Sequence, residues 1–380
     1  MKTNYDVIIV GGRVAGAVLA TRLGQLGHKV LVLEKARFPK DTLSTSFFRT
    51  PALSIFEKIG VLDQITNSAP PLRVLWNYID GQVISDFVEA EEEHLRFFIS
   101  QRRITLDWIL YQRLKQEANV EIRLGVNVRD LLWENGSVVG VKWKENDRIH
   151  EVTSKVVVGA DGYYSTLAQL LQPAYESYTP VQRFIYYAYF HHLDSFDVPT
   201  AEHHFVGNTI SYIFPTDGDL TMAAMTKPIA EFSEFKKAPL RNFMEHLGSL
   251  PLFKARFEHA ELASPIYGSG NIPSYQRMPF GPGWVLVGDA HQVMDPWSGM
   301  GIDHATTHAD YLAEALNVWL KEYSSWKVTM FDYYLRIRKF SEKAYRRTTR
   351  FASDLRPMTI AALERRSLVT ALTMPTPVRN

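Results

Sequence analysis

The chain of 380 residues contains no cysteine. This absence excludes disulfide bonds, thiolate metal sites, thiol nucleophiles and electron transfer through a redox-active disulfide. Net charge is almost absent as well: 42 Lys and Arg residues stand against 41 Asp and Glu residues. A formal charge of +1 provides no bulk attraction to nucleic acid or to an anionic membrane. With 46% hydrophobic and 22% charged residues, the composition is that of an ordinary globular protein.

Long hydrophobic runs are also lacking, so we expect no membrane insertion. Residues 1–6 lead directly into a first predicted strand, which leaves no room for a signal peptide. We therefore expect a cytoplasmic protein without a nucleic-acid partner.

Metal-ligand spacing is missing among the 12 histidines. The pairs His191-His192 and His203-His204 have no carboxylate at a helical distance that would complete a site. We interpret them as surface or strand histidines and expect no metal.

A dinucleotide-binding βαβ unit is predicted at the N-terminus. Residues 7–10 form a short β-branched run that is typical of a buried parallel strand, and Gly11-Gly12-Arg13-Val14-Ala15-Gly16 follows it at the start of a helix. A second strand at 29–33 ends at Glu34, about 20 residues beyond the glycines, where a ribose-binding carboxylate is expected. In such a unit the helix N-terminus offers N–H groups and partial positive charge to a pyrophosphate.

One position departs from this pattern. The middle glycine of Gly-x-Gly-x-x-Gly is replaced by Arg13, which puts a Cβ where the backbone usually meets the phosphate. An ordinary strand-to-helix turn that binds nothing is the alternative interpretation of the motif. The neighbouring strand, helix and Glu34 favour binding, and Arg13 is expected to add positive charge towards the pyrophosphate.

Two further motifs lie far along the chain. A buried strand at 155–159 leads into Gly159-Ala160-Asp161-Gly162, at the edge where a parallel sheet presents a ligand site. The other, which is the third motif of the chain, starts at Gly288-Asp289 and continues to Gly301. Between the N-terminal unit and these motifs, a helix opens at Arg102-Arg103 and a hairpin turns at Asn135-Gly136. Segments from both ends of the chain are thus expected to contact one cofactor.

Together, the glycine-rich start with Glu34, the segment at Gly159 to Gly162 and the segment from Gly288 resemble the group A flavoprotein monooxygenases, the family of para-hydroxybenzoate hydroxylase. The resemblance covers about residues 3 to 345. It implies FAD as cofactor, NAD(P)H as reductant and O2 as a co-substrate, with a separate flavin reductase as an open alternative for the reduction step. The implied fold is α/β: a Rossmann-like FAD-binding domain with an inserted mixed β-sheet substrate domain and C-terminal helices.

The implied domains alternate along the chain. Residues 1–72, 101–178 and 276–330 would form the FAD-binding domain, 73–100 and 179–275 the substrate domain, and 331–380 a C-terminal helical segment.

The resemblance also implies roles for single residues. Glu34 would bind the adenosine ribose, Arg103 would contact FAD from a helix start, and Val128 would lie by the adenine. Asp161 would serve both FAD and the nicotinamide, and Asp289 would hold a ribityl hydroxyl.

The loop 296–302 would lie against the isoalloxazine, with the N–H groups of Gly301 and Ile302 facing its N1/C2 carbonyl edge. A reduced flavin carries negative charge there, which a helix N-terminus stabilises. The predicted FAD-contacting residues are Gly11, Arg13, Ala15, Gly16, Glu34, Lys35, Arg103, Val128, Asp161, Gly288, Asp289, Pro296, Gly299, Gly301 and Ile302.

The third motif differs from its family form, Gly-Asp-Ala-Ala-His. Here Ala290 is followed by His291 and Gln292, so the histidine has moved by one place. It either packs and hydrogen-bonds within the turn or donates a proton near the flavin. We assign no catalytic residue from the sequence.

Aromatic strands at 184–191 and 209–215 are predicted to form the substrate sheet. Alternate side chains face opposite sides of a strand, so Tyr187, Tyr189 and Tyr212 are candidate pocket residues. The region from 305 to about 351 is predicted to be helical, and its basic stretch indicates a solvated face rather than a membrane-binding one.

The function implied by the resemblance is an FAD-dependent monooxygenase that hydroxylates or epoxidises an aromatic or polyketide-like small molecule through a flavin C4a-hydroperoxide. A reductase like the geranylgeranyl reductases is an alternative, and so is a non-catalytic flavin-binding partner. Halogenation is disfavoured, because the halogenase segment Trp-x-Trp-x-Ile-Pro aligns with residues 210–215, which retain only Pro215.

Overall fold

The computed structural model describes residues 5–145, 148–193, 196–322 and 324–366. Its strands are β1 Tyr5–Val10, β2 Val30–Glu34, β3 Phe47–Phe48, β4 Val74–Ile79, β5 Gln82–Phe87, β6 Ile99–Ser100, β7 Val120–Leu124, β8 Val128–Glu134, β9 Ser137–Glu145, β10 Arg148–Gly159, β11 Tyr175–Thr179, β12 Arg183–His191, β13 Thr200–Val206, β14 Thr209–Pro215, β15 Thr221–Pro228, β16 Glu261–Leu262, β17 Tyr267–Ser269, β18 Ser274–Arg277, β19 Phe280–Gly281, β20 Trp284–Leu286 and β21 Gln292–Val293.

The helices are α1 Val14–Gln25, α2 Thr50–Lys58, α3 Leu62–Ser68, α4 Arg103–Leu114, α5 Thr166–Leu171, α6 Phe232–Phe235, α7 Pro239–Gly248, α8 Lys254–Phe257, α9 Gly301–Glu322, α10 Trp326–Phe351 and α11 Arg356–Arg366. None of these helices combines the length and the hydrophobicity that crossing a bilayer would require.

The first sheet has the strand order β19-β20-β10-β1-β2-β7. Its central pairs are parallel, and the apolar residues of β1 and β2 are buried because helices and a second hydrophobic cluster cover the two faces of the sheet. The predicted strand, glycine turn, helix and second strand are confirmed as β1, α1 and β2. The predicted α/β fold is also confirmed.

A hairpin of β8 and β9 extends this sheet through β10. Its turn residues Asn135 and Gly136 have φ of 49° and 77°, as a two-residue turn that follows the twist of the strands requires. The hairpin predicted from Asn135-Gly136 is confirmed.

The second sheet has the order β16-β12-β15-β14-β13-β4-β5. Its pairs are antiparallel except for β13 and β4, which run parallel. One face packs on α6, α7 and α8 through buried residues such as Phe184 and Phe243. We call the opposite side the aromatic face; its side chains include Tyr187, Tyr189, His203, Tyr212 and Phe214.

Strands of the first sheet lie in the segments 1–72, 101–178 and 276–330, and those of the second in 73–100 and 179–275. A third sheet, β11-β18-β21, crosses two of the predicted boundaries, so the boundaries themselves stay predictions.

The predicted C-terminal helical region consists of two helices, α9 and α10, which pack against each other. Basic residues of α10 form ion pairs, among them Arg336 with Glu314 and Arg346 with Glu342. Helix α11 follows and packs on the aromatic face through Met358, Ala362 and Leu363. Residues 367–380 of the predicted C-terminal segment lie outside the described residues.

Candidate functional site

The glycine turn after β1 brings three backbone segments together. Gly11 has φ of +103°, and a Cβ at this position would lie 2.3 Å from the carbonyl oxygen of Ala160. A Cβ on Gly16 would lie 1.8 Å from the carbonyl oxygen of Gly11. Both positions therefore require glycine, which lets α1 begin directly against the ends of β1 and β10.

Glu34 is held at the end of β2, with only 3% of its surface exposed. Its carboxylate accepts hydrogen bonds from the backbone N–H groups of Gly12 and Ala36, both at 2.7 Å. Each carboxylate oxygen can accept a further bond. The side chain is thus oriented by the backbone and retains capacity for ribose hydroxyls.

A cleft that is open to solvent lies at this edge of the sheet. Five predicted FAD-contacting residues line it: Gly11, Glu34, Lys35, Val128 and Asp161. They lie directly after β1, at and after the end of β2, at the start of β8 and just after β10. The tertiary structure therefore brings together segments that the sequence separates by more than a hundred positions.

Asp161 also caps α5. Its carboxylate accepts hydrogen bonds from Ser165 Oγ at 2.6 Å, from the N–H of Thr166 at 2.6 Å and from the N–H of Leu167 at 3.2 Å. Burial raises the pKa of this carboxyl, and these hydrogen bonds oppose the rise. The side chain has a structural role at the cleft in addition to the cofactor role predicted for it.

Arg13 does not point freely into the cleft. Its Nη1 lies 2.7 Å from Oδ2 of Asp107, which also binds Arg103 at 2.9 Å and is fully buried. Burial raises the pKa of the Asp107 carboxyl, and the two guanidinium groups counteract this. Two cations on one carboxylate leave net positive charge beside the glycine turn, in the place where a pyrophosphate would approach.

The third motif meets the first at Gly288 and Ala15. Gly288 has φ of +64°, and a Cβ on it would lie 3.0 Å from the Cβ of Ala15. The next residue, Asp289, is exposed, and its carboxylate has no hydrogen-bond partner among the described residues. Desolvation by the surrounding protein raises the pKa of the Asp289 carboxyl to about 6, although the charge of Arg103 opposes the rise. A free carboxylate at this position can accept hydrogen bonds from a sugar or ribityl hydroxyl.

Hydrogen bonds from neighbouring residues hold the loop 296–302 in place. Asp295 accepts a hydrogen bond from the N–H of Trp297 at 3.1 Å, and Gly299 adopts φ of +60°. Arg49 donates to the carbonyl oxygens of Ser298 at 2.8 Å and Gly299 at 3.3 Å. These contacts fix the loop before α9 begins.

Helix α9 begins at Gly301, as the predicted flavin contact requires. Its first N–H groups, including those of Gly301 and Ile302, have no intrahelical acceptor. A Cβ built on Gly301 would have no atom within 4 Å. The helix N-terminus thus faces open space and can stabilise negative charge placed there.

His291 is buried, and its Nδ1 lies 2.7 Å from the carbonyl oxygen of Arg277. Its ring also lies 5.8 Å from that of His308. Burial lowers the pKa of His291 to about 4, so the imidazole is neutral near pH 7. This geometry favours the interpretation that His291 packs and hydrogen-bonds within the turn.

The three candidate pocket tyrosines share the aromatic face. Tyr187, Tyr189 and Tyr212 expose only 1%, 3% and 4% of their surface, respectively. Tyr212 donates to the carbonyl oxygen of Trp297 at 2.6 Å, and the hydroxyl group of Tyr189 lies 3.4 Å from Ser46 Oγ. These two hydroxyl groups therefore help to hold the sheet against the rest of the protein.

Arg49, Asp107 and Asp303 were not identified from the sequence. Asp303 is fully buried and binds the N–H of Arg49 at 2.8 Å and its Nη1 at 2.9 Å. A carboxylate in the first turn of a predicted helix is a weak signal that could have marked Asp303. Nothing in the local sequence marks Arg49, whose partners lie about 250 positions away.

The chain matches the family model described as FAD binding domain over residues 4–230, more than half of its length. The chain belongs to this family. FAD is accordingly its cofactor, and the protein is an FAD-dependent oxidoreductase, for which NAD(P)H is the reductant typical of the family. The predicted membership of the group A flavoprotein monooxygenases is confirmed.

Curated relatives carry out different reactions. A 1H-pyrrole-2-carbonyl-[peptidyl-carrier protein] brominase from Pseudoalteromonas luteoviolacea is 26% identical over 344 residues, which span 87% of this chain and 81% of the brominase. Para-nitrophenol 4-monooxygenase from a Pseudomonas species is 21% identical over 89% of this chain and 84% of its own. Digeranylgeranylglycerophospholipid reductase 1 from Methanopyrus kandleri is 29% identical, but over 44% of this chain and 42% of its own.

Solved structures share the fold. The myxobacterial chondrochloren halogenase superposes with a TM-score of 0.82 at 21% identity, over 90% of this chain and 81% of its own. A probable FAD-dependent monooxygenase from Pseudomonas aeruginosa superposes with a TM-score of 0.79 at 20% identity, over 95% of this chain and 99% of its own.

Proposed function

We propose that the protein is an FAD-dependent monooxygenase that uses NAD(P)H and O2 to hydroxylate or epoxidise a small aromatic or polyketide-like molecule. The observation that carries this proposal is the open N-terminus of α9 next to a loop that Tyr212 ties to the aromatic face. When bound, FAD would supply the activation of O2 and the transfer of one oxygen atom to the substrate.

The chain's own groups would bind FAD along its length. Glu34 would accept hydrogen bonds from the adenosine ribose, and the net positive charge of Arg13, Asp107 and Arg103 would face the pyrophosphate. Asp289 would accept a bond from a ribityl hydroxyl, for which its carboxylate, without a hydrogen-bond partner among the described residues, is suited. This arrangement supports the predicted contact of one cofactor by both ends of the chain.

At the flavin end, the N–H groups of Gly301 and Ile302 would stabilise negative charge on the N1/C2 carbonyl edge. Arg49 would keep these donors in place, because it binds the two carbonyl oxygens that precede the helix. Preorganised donors of this kind need no rearrangement during the reaction.

The aromatic face would supply the apolar wall of the substrate cavity. Its rings pack in one apolar cluster with Trp297 of the loop and with Phe47 of β3. Exclusion of water there would protect an oxygen-transferring site from unproductive release of hydrogen peroxide.

Labelled oxygen gas tests the proposal. Purified holoenzyme is incubated with NAD(P)H, an aromatic substrate panel and ¹⁸O2, and the products are analysed by mass spectrometry. We expect one labelled oxygen atom per product molecule and faster NAD(P)H consumption with a true substrate. If the protein requires a separate flavin reductase, chemically reduced FAD replaces NAD(P)H and the label is measured in the same way. A product that forms equally well without oxygen would contradict the monooxygenase and favour the reductase alternative.

Halogenation is the second candidate, because the similarity to the brominase extends over 87% of this chain. Against it, residues 210–215 form most of β14 and retain only Pro215 of the halogenase segment. Adding bromide or chloride to the labelled-oxygen assay separates the two reactions. Halogenated product without labelled oxygen would replace the monooxygenase proposal.

A further inference from the structure

Gln292 occupies the place in the third motif where the family form carries its histidine. It belongs to β21, shortly before the loop 296–302, and is 5% exposed. Its amide nitrogen Nε2 lies 2.8 Å from Nδ1 of His304, which is in the first turn of α9. This hydrogen bond joins the strand that precedes the loop to the helix that follows it, across 12 positions of the chain.

The amide oxygen of Gln292 is held as well. Gln276 is its cross-strand neighbour in β18, and Nε2 of Gln276 donates to Oε1 of Gln292 at 2.9 Å. Ser341 Oγ, from α10, lies 3.2 Å from the same oxygen. Because the oxygen faces an amide donor, the nitrogen of Gln292 points the other way, towards His304. The side chain is thus fixed by β18 and α10 and transmits their position to α9.

The imidazole of His304 is neutral and accepts through one nitrogen. Burial lowers the pKa of His304 to about 3, and the charges of Arg49 and His291 lower it further. An amide nitrogen only donates, so Nδ1 accepts and the ring proton is on Nε2. Nε2 is buried without a partner, which leaves the bond to Gln292 as the one hydrogen bond of this ring in the described part of the chain.

The start of α9 is held from two sides. Asp303, the neighbour of His304, accepts from the backbone N–H of Arg49 at 2.8 Å and from its guanidinium at 2.9 Å. Arg49 lies between β3 and α2, whereas Gln292 belongs to the sheet β11-β18-β21. Two separate parts of the protein therefore fix the first turn of the helix.

His308 offers an internal comparison. It lies one turn further along α9, its ring stacks 5.4 Å from that of His304, and both rings pack against Phe340 of α10. It is likewise buried, but neither of its ring nitrogens has a hydrogen-bond partner among the residues that the structure describes. The two histidines thus share helix, burial and neighbours, and differ in the bond to Gln292.

Building on the flavin contact in the proposed function, we propose that Gln292 and His304 are positioning residues for the reduced flavin. Their hydrogen bond would set the direction of the first N–H groups of α9, at Gly301 and Ile302, which would face the flavin edge that becomes negative on reduction. Donors that are fixed in advance favour the charged form, because no rearrangement is needed when the charge arrives. Loosening the start of α9 should therefore weaken the binding of reduced FAD more than that of oxidised FAD.

The reduction potential of bound FAD tests this inference, without substrate, NAD(P)H or oxygen. The FAD-loaded wild-type protein and its variants are titrated anaerobically against a dye of known potential. We expect Gln292→Leu and His304→Leu each to lose about tenfold in preference for the reduced flavin, which for two electrons is a potential more negative by about 30 mV. Titration of the apoproteins with oxidised FAD should show a smaller loss of affinity.

Two conservative variants separate the hydrogen bond from packing. His304→Asn puts an amide oxygen near the place of Nδ1, where it can accept from Gln292, and should keep the wild-type potential. His304→Gln carries its amide one carbon further, towards the place of Nε2, and should shift the potential as His304→Leu does.

The matched control is His308→Leu, which removes an equally buried imidazole from the same helix face and should leave the potential unchanged. Thermal unfolding identifies the variants that are folded. If Gln292→Leu does not retain FAD, the comparison of the His304 variants with His308→Leu decides.

An unchanged potential in folded Gln292→Leu and His304→Leu would overturn the inference. An equal shift in His308→Leu would do the same, as would a shift in His304→Asn as large as that in His304→Leu, because packing rather than the hydrogen bond would then set the potential. The labelled-oxygen experiment decides separately on the monooxygenase reaction. Its failure would leave the positioning pair in place, and failure of the potential measurement would leave the proposed reaction in place.

Discussion

The phenol hydroxyl of Tyr212 donates a hydrogen bond to the carbonyl oxygen of Trp297 at 2.6 Å, and both residues are buried. This bond joins the centre of the second sheet to the loop between the third motif and α9. The loop is thus positioned from two sides, by Tyr212 and by Arg49. A side chain that the sequence marked as a pocket candidate therefore orients the site.

We expect Tyr212→Phe to lower the free energy of unfolding by about 1–3 kcal/mol, because it leaves a buried carbonyl oxygen without a partner. Urea unfolding measures the effect. Tyr186→Phe, on the opposite face of the same sheet and without a side-chain hydrogen bond among the described residues, is the control. Equal stability of Tyr212→Phe and wild type would show that the bond does not hold the loop.

Removing the buried carboxylate of Asp303 should lower the free energy of unfolding by about 3 kcal/mol. This value is near the lower end for a buried ion pair, because Arg49 keeps 28% of its side-chain surface exposed. Asp303→Ala should also weaken FAD binding, since Arg49 would lose the partner that aims it at the loop. Thermal unfolding and FAD titration of the apoprotein measure the two effects. Arg49→Lys should keep the charge but lose part of the loop contacts.

Asp289→Ala should weaken FAD binding by about 1.5–3 kcal/mol, the loss of charge-assisted hydrogen bonds to hydroxyl groups. Glu34→Ala should do the same and also destabilise the glycine turn, because two backbone N–H groups lose their acceptor. Glu34→Gln keeps an acceptor oxygen for the backbone and removes the charge, so it separates the effect on FAD binding from the effect on the glycine turn. The control is the exposed strand-end variant Glu134→Ala. Unchanged FAD affinity in both site variants would refute contact of the cofactor from both ends of the chain.

Asp295 gives the stability a pH dependence. Burial raises the pKa of its carboxyl from 3.8 to about 7, against the N–H of Trp297 and the charge of Arg183, which lower it. The favourable contribution of Asp295 to the free energy of unfolding is thus fully present below about pH 4 and is lost as the pH rises through 7. One pKa unit corresponds to about 1.4 kcal/mol, so the loss is on the order of 4 kcal/mol.

Asp295→Asn should remove this dependence, since its amide oxygen can still accept from Trp297 and does not ionise. Unfolding measured from pH 5 to pH 8 should show the variant gaining stability relative to wild type as the pH rises. Parallel curves for the two proteins would mean that Asp295 is ionised throughout this range.

The purified protein should be yellow and carry one non-covalent FAD, as the three cofactor motifs predict; the absence of cysteine also excludes a cysteinyl-flavin bond. Denaturation followed by filtration should release all of the FAD into the filtrate. Flavin retained on the unfolded chain, or FMN in the filtrate, would contradict the proposed site.

The sequence predicted the elements whose cause is local. The run of β-branched residues before Gly11 forms β1, and Asn135-Gly136 makes the hairpin turn, because periodicity and backbone preference act over a few residues. The three glycine motifs indicated FAD for the same reason, since each needs a close backbone approach within a short segment.

Only the tertiary structure decided which side chains meet. Arg13 pairs with Asp107, which is 94 positions away, and Tyr212 binds Trp297 across 85 positions. The sequence marked the tyrosines and left His203 among ordinary strand histidines, whereas the structure engages the hydroxyl groups of Tyr189 and Tyr212 and, among the described residues, leaves Nδ1 of His203 without a hydrogen-bond partner. Hydrogen bonding depends on distances of about 3 Å and on direction, and these are set by the packing of whole sheets against loops rather than by neighbours along the chain.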